Sequence, residues 1–161
     1  MDPTAAAIAG QFETGTNLFR KALRGVEREA LVRRPGPRSN SMLWIAGHLT
    51  QFRYRVAGIL GAEGELPWGA MFATGAKVGD AEGYPDGDEI LARWDAITPE
   101  LMRRLSALSV QKLAGPAPPR VASADGSLGG ALAYLALHEG YHIGQLGFLR
   151  KWLGLSPLLD T

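Results

Sequence analysis

Apolar residues recur along most of the chain at intervals of three and four, the period of an α-helix that turns one face toward a core. Four stretches show this period, at about 4–34, 42–60, 87–108 and 127–154. The alternation of apolar and polar residues that marks a half-buried β-strand does not stand out, and no internal repeat is visible. The pattern predicts an all-α protein, a four-helix bundle.

Turn-forming residues separate the first two stretches. Pro35-Gly36-Pro37 ends the first predicted helix, and the SNS cluster at 39–41 offers caps for the second, which Gly61 ends. About six residues separate these two helices. Because a connection this short favours antiparallel neighbours, we expect the first two helices to pack against each other.

Two longer connections join the remaining helices, at 61–86 and 109–126. The first is rich in Gly and contains two prolines, which predicts a crossover past the end of the bundle with a short helical turn at 67–72. Trp68, Met71 and Phe72 in this turn fit two interpretations, a lid over a pocket or buried packing.

The chain has three histidines, and each falls on a stripe that is predicted to face the core. His138 and His142 lie one turn apart in the fourth helix, and His48 lies in the second. We expect the three side chains to converge on one metal ion, because three imidazoles with open coordination positions are typical of catalytic sites. Imidazole suits several metals, so the identity of the ion stays open. The alternative is a set of core histidines satisfied by hydrogen bonds or water.

The sequence HEGYH at 138–142 also fits the HExxH pattern of zinc peptidases, in which the Glu is a general base. The extended form of that pattern needs a Gly and a third His further along, where this chain has Gln145 and Phe148. We therefore do not expect a peptidase. Glu139, about 100° around the helix from His138, is expected at a groove edge or in solvent.

Composition narrows the functional classes. The 161 residues include no Cys, which excludes disulfides, thiolate-zinc sites and a cysteine nucleophile, so metal ligands must be nitrogen or oxygen atoms. Seventeen Lys plus Arg against sixteen Asp plus Glu give a net charge of +1. Because the basic residues are scattered, we expect no nucleic-acid partner.

The length fits a single domain spanning residues 1–161. The N-terminus carries an acid and no long apolar segment, so we expect no secretory signal and a cytoplasmic location. The apolar stretch 126–149 is long enough to cross a bilayer, but its middle carries two His, a Glu and a Gln. Ionisable groups at a bilayer centre are costly, so we expect no membrane association.

Several segments resemble the DinB-like (DinB/YfiT) four-helix-bundle superfamily. HEGYHIGQLGFLRKWLG at 138–154 resembles its fourth helix, and SMLWIAGHLTQFRYR at 41–55 resembles its second helix with a metal-binding histidine. LPW at 66–68 and YPDGDEILARWDAI at 84–97 resemble its crossover and third helix. The resemblance reaches from residue 41 to residue 154.

The resemblance implies an up-down-down-up bundle with a long crossover between helices two and three. It implies a divalent ion, zinc, nickel or iron, bound by His48, His138 and His142, and it makes a homodimer the expected assembly. Members of this family include thiol-dependent transferases and isomerases that use bacillithiol, mycothiol or glutathione.

From the site and this resemblance we expect a metal-dependent S-transferase that activates a low-molecular-weight thiol toward an electrophilic substrate. Because the chain has no Cys, the sulfur would have to arrive on a small thiol cofactor. The same ion would serve to make hydroxide from water. A metal-dependent hydrolase is therefore the main enzymatic alternative, and a non-catalytic metal-binding protein is the other.

Tyr141 and Gln145 are the candidate catalytic side chains, in a groove that we expect near Trp44 and the 66–72 loop. Gln145 lies three residues after His142 on the same helical face, where it would either hold a water or substrate or pack at a dimer contact. For the expected homodimer, the candidate apolar surface consists of Trp68, Met71, Phe72 and Trp152.

Overall fold

The computed structural model describes residues 2–73, 75–76 and 81–159. In these ranges the chain forms six α-helices and no β-strand, which confirms the all-α prediction. The helices are α1 (Pro3–Leu23), α2 (Arg28–Leu31), α3 (Met42–Ile59), α4 (Gly87–Ser106), α5 (Val110–Leu113) and α6 (Leu128–Trp152). The four long ones, α1, α3, α4 and α6, build the bundle.

Each long helix begins at a residue whose side-chain oxygen accepts hydrogen bonds from backbone N–H groups of the first turn. The capping residues are Asp2 for α1, Ser41 for α3, Asp86 for α4 and Ser127 for α6. These local contacts set where the helices start, and therefore which residues of each helix face the core.

The first two long helices are not neighbours. α1 packs against α4 and α6, and α3 packs against the same two helices, so α1 and α3 lie on a diagonal of the bundle. The expectation that they pack together is wrong, because α1 ends at Leu23 rather than near residue 34. Gly25 follows with φ +71°, a conformation that Gly adopts without steric cost and that ends helices. The 18-residue segment 24–41 is then long enough to cross the end of the bundle.

Two pairs of helices run parallel. A guanidinium nitrogen of Arg150, near the end of α6, donates to the carbonyl oxygen of Ala22, near the end of α1. In the same way Arg104, near the end of α4, donates to the carbonyl oxygen of Leu60, just after α3. The ends of α1 and α6 therefore meet, as do those of α3 and α4.

The two pairs run in opposite directions. Arg28, which follows α1, donates to the carbonyl oxygen of Pro85, just before α4 begins, so the end of α1 lies beside the start of α4. Relative to α1, the order is therefore up, down, down, up, as the resemblance implies. This order sets α3 antiparallel to α6.

The crossover between α3 and α4 packs against the bundle. Its 3₁₀ turn, Gly69–Phe72, confirms the short helical turn predicted at 67–72, although residues 74 and 77–80 of the crossover lie outside the described ranges. Trp68 and Phe72 are buried, which favours the packing interpretation and excludes both as dimer surface. Met71 and Trp152 are exposed, by 44% and 39%. The Trp68 indole N–H donates to Glu89 of α4 over 2.9 Å.

Candidate metal centre

α3 and α6 bring three imidazoles to one place. His48 projects from α3, and His138 and His142 project from successive turns of α6. One nitrogen of each ring lies within 4.8 Å of the corresponding nitrogens of the other two. The ring centroids are separated by 4.6, 4.7 and 5.5 Å. The three side chains thus meet as the sequence led us to expect, in a group that could hold a metal ion.

His48 is buried, and the crossover sets its orientation. Its Nδ1–H donates to the carbonyl oxygen of Phe72 over 2.7 Å, which leaves Nε2 with a free lone pair. Phe72 reaches this position because Gly47 has no side chain, and a Cβ there would lie 2.6 Å from the Phe72 ring. Trp44 stacks on the imidazole, with centroids 5.1 Å apart and ring planes at 7°. These contacts orient the ring without an ion.

Gln145 orients the second imidazole. The Nδ1–H of His142 donates to the Gln145 side-chain oxygen over 2.7 Å, and the Gln145 amide donates to the Tyr141 hydroxyl over 3.2 Å. Gln145 follows His142 by three residues and Tyr141 by four, so its side chain lies between theirs on the helix surface. Gln145 is half-buried and directed at the site, whereas Tyr141 is 63% exposed. The two candidate catalytic residues therefore lie around His142, and a direct part in catalysis stays a prediction for both.

His138 is the least constrained of the three. Its Nδ1 is buried and has no hydrogen-bond partner among the residues that the structure describes. Phe52 stacks on the ring at a centroid distance of 4.2 Å. A buried polar atom without a partner is destabilising, and a bound ion near this ring is one way to satisfy it.

Burial lowers the pKa of all three imidazoles. For His48 and His142, burial outweighs the Nδ1–H hydrogen bonds, which act in the opposite direction. For His138, burial lowers the pKa to about 4, and the neighbouring His142, His48 and Arg55 add smaller contributions of the same sign. The rings are therefore neutral at pH 7, the form that binds metal.

The donor set fits a divalent ion. The cluster offers three neutral nitrogen ligands and no thiolate, and zinc, nickel and iron all accept imidazole. Two of the rings donate their outer N–H to an oxygen acceptor, the arrangement that usually supports metal-ligating histidines. Since closed zinc sites use four protein ligands, three imidazoles leave room for an external molecule.

Glu139 does not face a groove edge or solvent, so that expectation is wrong. Its side chain is 2% exposed, and its two oxygens accept hydrogen bonds from Arg53 of α3 over 2.7 and 3.1 Å. Burial raises the pKa of the Glu139 carboxyl, while the charge and hydrogen bonds of Arg53 oppose that rise. Because successive side chains on a helix diverge by about 100°, Glu139 enters a different part of the core from His138.

Arg53 organises this second polar group, which we call the Arg53 cluster: Arg53, Glu139, Thr16 and Thr98. Its five N–H donors are all used, by the two Glu139 oxygens, the hydroxyls of Thr16 and Thr98, and the carbonyl oxygen of Phe12. The guanidinium carbon also lies 3.5 Å from the centroid of the Trp94 ring. The cluster takes a residue from each of the four long helices, and sequence reasoning missed Arg53.

A pocket with a volume of about 250 Å³ lies beside His138, and we call it the His138 pocket. It is formed by α3, α6 and the loop between α5 and α6, and its lining includes Phe52, Arg55, Arg120, Tyr134, Leu135 and His138. A larger pocket of about 640 Å³ lies between α1 and α6 and touches none of the three histidines. Of these two pockets, the His138 pocket is therefore the one from which a bound molecule could contact one of the three histidines.

The fold and the site define a class of protein, a four-helix bundle in which three histidines could hold a metal ion between two antiparallel helices. We call His48, His138 and His142 the histidine group. The sequence profile of the DinB superfamily matches residues 11–146, and the chain belongs to that family. The match spans all three histidines and confirms the resemblance seen in the sequence. No curated protein matches the chain. Among the described helices, none combines the length and apolar character that crossing a bilayer requires.

Proposed function

We propose that His48, His138 and His142 bind a divalent ion, zinc, nickel or iron, and that the protein is a metal-dependent transferase acting on a low-molecular-weight thiol and an electrophile. The observation that carries this proposal is the convergence of three neutral imidazoles beside a pocket. When bound, such an ion lowers the pKa of a thiol or water that it coordinates. Enzymes of this kind need an open ligand position, which three protein ligands leave.

The residues around the site have separate tasks in this reaction. The Phe72 carbonyl and Gln145 hold two imidazoles in the tautomer whose Nε2 faces a ligand. Trp44 and Phe52 stack on His48 and His138 and exclude water from those ring faces. In the reaction, the thiol sulfur forms a bond to the electrophilic carbon, the leaving group departs with its bonding electrons, and the thiol proton passes to solvent.

The sulfur would be supplied from outside the chain. The 161 residues contain no Cys, so no protein thiol is available as a nucleophile. A thiol that enters from solvent could reach the open ligand position that three imidazoles leave.

The test combines metal analysis with a thiol screen. Purified protein is assayed for zinc, nickel and iron and then given monobromobimane with bacillithiol, mycothiol or glutathione. We expect turnover that requires both the ion and one thiol, and that chelation removes. Absence of turnover with every thiol would overturn the transferase assignment, and thiol-independent hydrolysis of an ester or amide would replace it with a hydrolase.

We also infer that the protein forms a homodimer through α6. The outward face of α6 carries four large exposed side chains, Leu137, Tyr141, Phe148 and Trp152. An apolar stripe of this kind is typical of an interface. Light scattering at micromolar concentration should give twice the chain mass, and Phe148→Lys should shift it toward the monomer. Val110→Lys, at another exposed apolar position, is the control, and a wild-type monomer would contradict the inference.

A further inference from the structure

Among the residues that the structure describes, the lining of the His138 pocket contains two arginines and no acid. Arg55 of α3 and Arg120 of the loop between α5 and α6 both line it, together with the Tyr134 phenol. Among the described residues neither guanidinium has a hydrogen bond or an ion pair, whereas Arg20 and Arg104 are each paired with a carboxylate. The pocket therefore presents two uncompensated positive charges in forked groups that suit a carboxylate.

The backbone at Arg120 is strained. Its φ is +62°, and it is the one described residue other than Gly with a positive φ. The loop that carries it is tied down by two backbone hydrogen bonds, from Ala117 N to Gly126 O and from Leu128 N to Gly115 O. A strained conformation that the surrounding structure retains is a frequent property of ligand sites.

The pocket reaches the histidine group at His138. Phe52 stacks on His138, and Arg55 follows Phe52 by three residues, so the guanidinium lies one turn along α3 from the ring that covers His138. Phe52 and Leu135 give the pocket an apolar wall beside its two charges. A small molecule in the pocket would thus place an anionic group at the arginines and an apolar portion toward His138.

We propose that the His138 pocket binds a carboxylate group of a molecule that reacts at the histidine group. Arg55 and Arg120 bind the carboxylate, and Phe52 and Leu135 contact the adjoining carbon atoms. The identity of the reacting molecule rests on the proposed function, and the carboxylate belongs either to the thiol or to the electrophile. The pocket's affinity for a carboxylate is a property of this chain with or without an ion.

The first test uses the metal-free full chain, so it does not depend on catalysis. Benzoate and 3-mercaptopropionate are titrated into the protein while the arginine Nε–H signals are followed by NMR. We expect saturable shifts of two signals, assigned by their loss in Arg55→Gln and Arg120→Asn. Asn tolerates a positive φ, so the second variant should keep the loop.

Each replacement should weaken carboxylate binding roughly tenfold, since a charge-assisted pair is lost. Arg93→Gln, which removes an exposed charge from α4, is the matched control and should leave the affinity unchanged. If the affinity is the same in Arg55→Gln, Arg120→Asn and the wild type, the proposal is wrong.

The second test identifies the source of the carboxylate in the metal-loaded protein. One arm compares 3-mercaptopropionate with 2-mercaptoethanol on monobromobimane, and the other compares 4-(bromomethyl)benzoate with benzyl bromide at fixed 2-mercaptoethanol. We expect the wild type to prefer the carboxylated member of one pair through KM, and both arginine variants to lose that preference. Turnover without such a preference overturns the carboxylate proposal alone. Carboxylate binding by NMR, with no turnover of any pair and none with bacillithiol, mycothiol or glutathione, overturns the proposed function alone.

Discussion

The bundle contains two polar groups, the Arg53 cluster and the histidine group. They differ in how many of their hydrogen-bonding atoms have a partner. In the Arg53 cluster every guanidinium donor has an acceptor, and the whole group is buried. In the histidine group, two outer nitrogens have partners, but the nitrogens that lie close to one another have no hydrogen-bond partner within the described part of the chain. His138 and Glu139 are consecutive residues, yet each belongs to a different group.

This difference separates a structural role from a binding role. A buried ion pair whose hydrogen bonds are all made has no remaining capacity for a ligand, so the Arg53 cluster fixes the relative positions of the four long helices. The imidazole nitrogens of the histidine group, by contrast, have lone pairs that accept no hydrogen bond from the described residues. These lone pairs are available to bind a cation. We expect mutations in the first to change folding and mutations in the second to change ligand affinity.

The largest effect is expected from Arg53→Met. It leaves the Glu139 carboxylate buried without a partner, which should lower the free energy of unfolding by about 3–5 kcal/mol. Urea denaturation in the presence of a chelator would measure this loss without a contribution from metal binding. The Thr16 and Thr98 hydroxyls still donate to the carbonyl oxygens of Phe12 and Trp94, so the loss arises mainly from Glu139.

The double variant Arg53→Met, Glu139→Leu provides the control. Since it removes both charges, it should recover most of the lost stability, because replacing a whole buried pair by apolar residues is often neutral. A double variant as unstable as Arg53→Met would mean that the cluster acts through its shape and not through its charges.

His48→Ala should have the next largest effect, on metal affinity. Loss of an outer hydrogen-bond partner alone weakens metal binding by about 10- to 100-fold, so loss of a direct ligand should exceed about 100-fold. Calorimetric titration of the chelator-treated protein with zinc or nickel would measure it. Gln11→Ala, at an exposed position of α1, is the control. Unchanged affinity in His48→Ala would remove this residue from the metal site.

Periodicity alone predicted the histidine group well. Each histidine shares the phase of apolar neighbours on its helix, and the helical period fixes which face is buried. Ser41 was among the predicted caps because its residue type satisfies free backbone N–H groups, and Ser127 caps α6 in the same way. Such short-range signals set the helix boundaries, and the family resemblance then supplied the order of the helices.

Contacts between residues that are distant in the sequence cannot be predicted from helical periodicity or residue type alone. Glu139 was expected at a groove edge or in solvent because it lies about 100° around the helix from His138, and nothing local to it indicates a partner 86 residues away. A signal for Arg53 did exist, since it lies four residues after Leu49 and three before Val56 on the buried stripe of α3. Gly25 likewise indicated the true end of α1. Because α1 ends before Gly25, the segment 24–41 is long enough to separate α1 from α3, and adjacency in sequence does not become adjacency in space.

Gln145→Leu should have a smaller effect than His48→Ala. It removes the acceptor for the His142 Nδ1–H, so the ring loses its fixed orientation and metal affinity should fall roughly tenfold. Gln145→Glu keeps the acceptor and should retain wild-type affinity or exceed it. If Gln145 merely packs at a dimer contact, both variants should change the solution mass and leave metal affinity unchanged.

The smallest effect is a pH dependence of the metal-free protein. The folded-state pKa of His138 is lowered to about 4, below its unfolded value of about 6.5, so the unfolded chain binds more protons between these values. The stability from neutral His138 is thus complete above pH 6.5 and is lost as the pH falls toward 4. Because the residue is only half-buried, solvent screens part of the effect and we expect only about 1 kcal/mol from it.

The measurement compares wild type with His138→Gln in chelator, by urea denaturation at pH 7.5, 6 and 5. The charged or titratable groups that act on His138 are His48, His142 and Arg55, and all are common to both proteins. Glu139, whose pKa burial raises above its unfolded value, contributes with the opposite sign, and it too cancels in the difference. The wild type should therefore lose more stability on acidification than the variant. If the free energy of unfolding changes with pH in the same way in both proteins, His138 is no harder to protonate in the folded chain than in the unfolded one. The difference between the histidine group and the Arg53 cluster would then not affect proton binding.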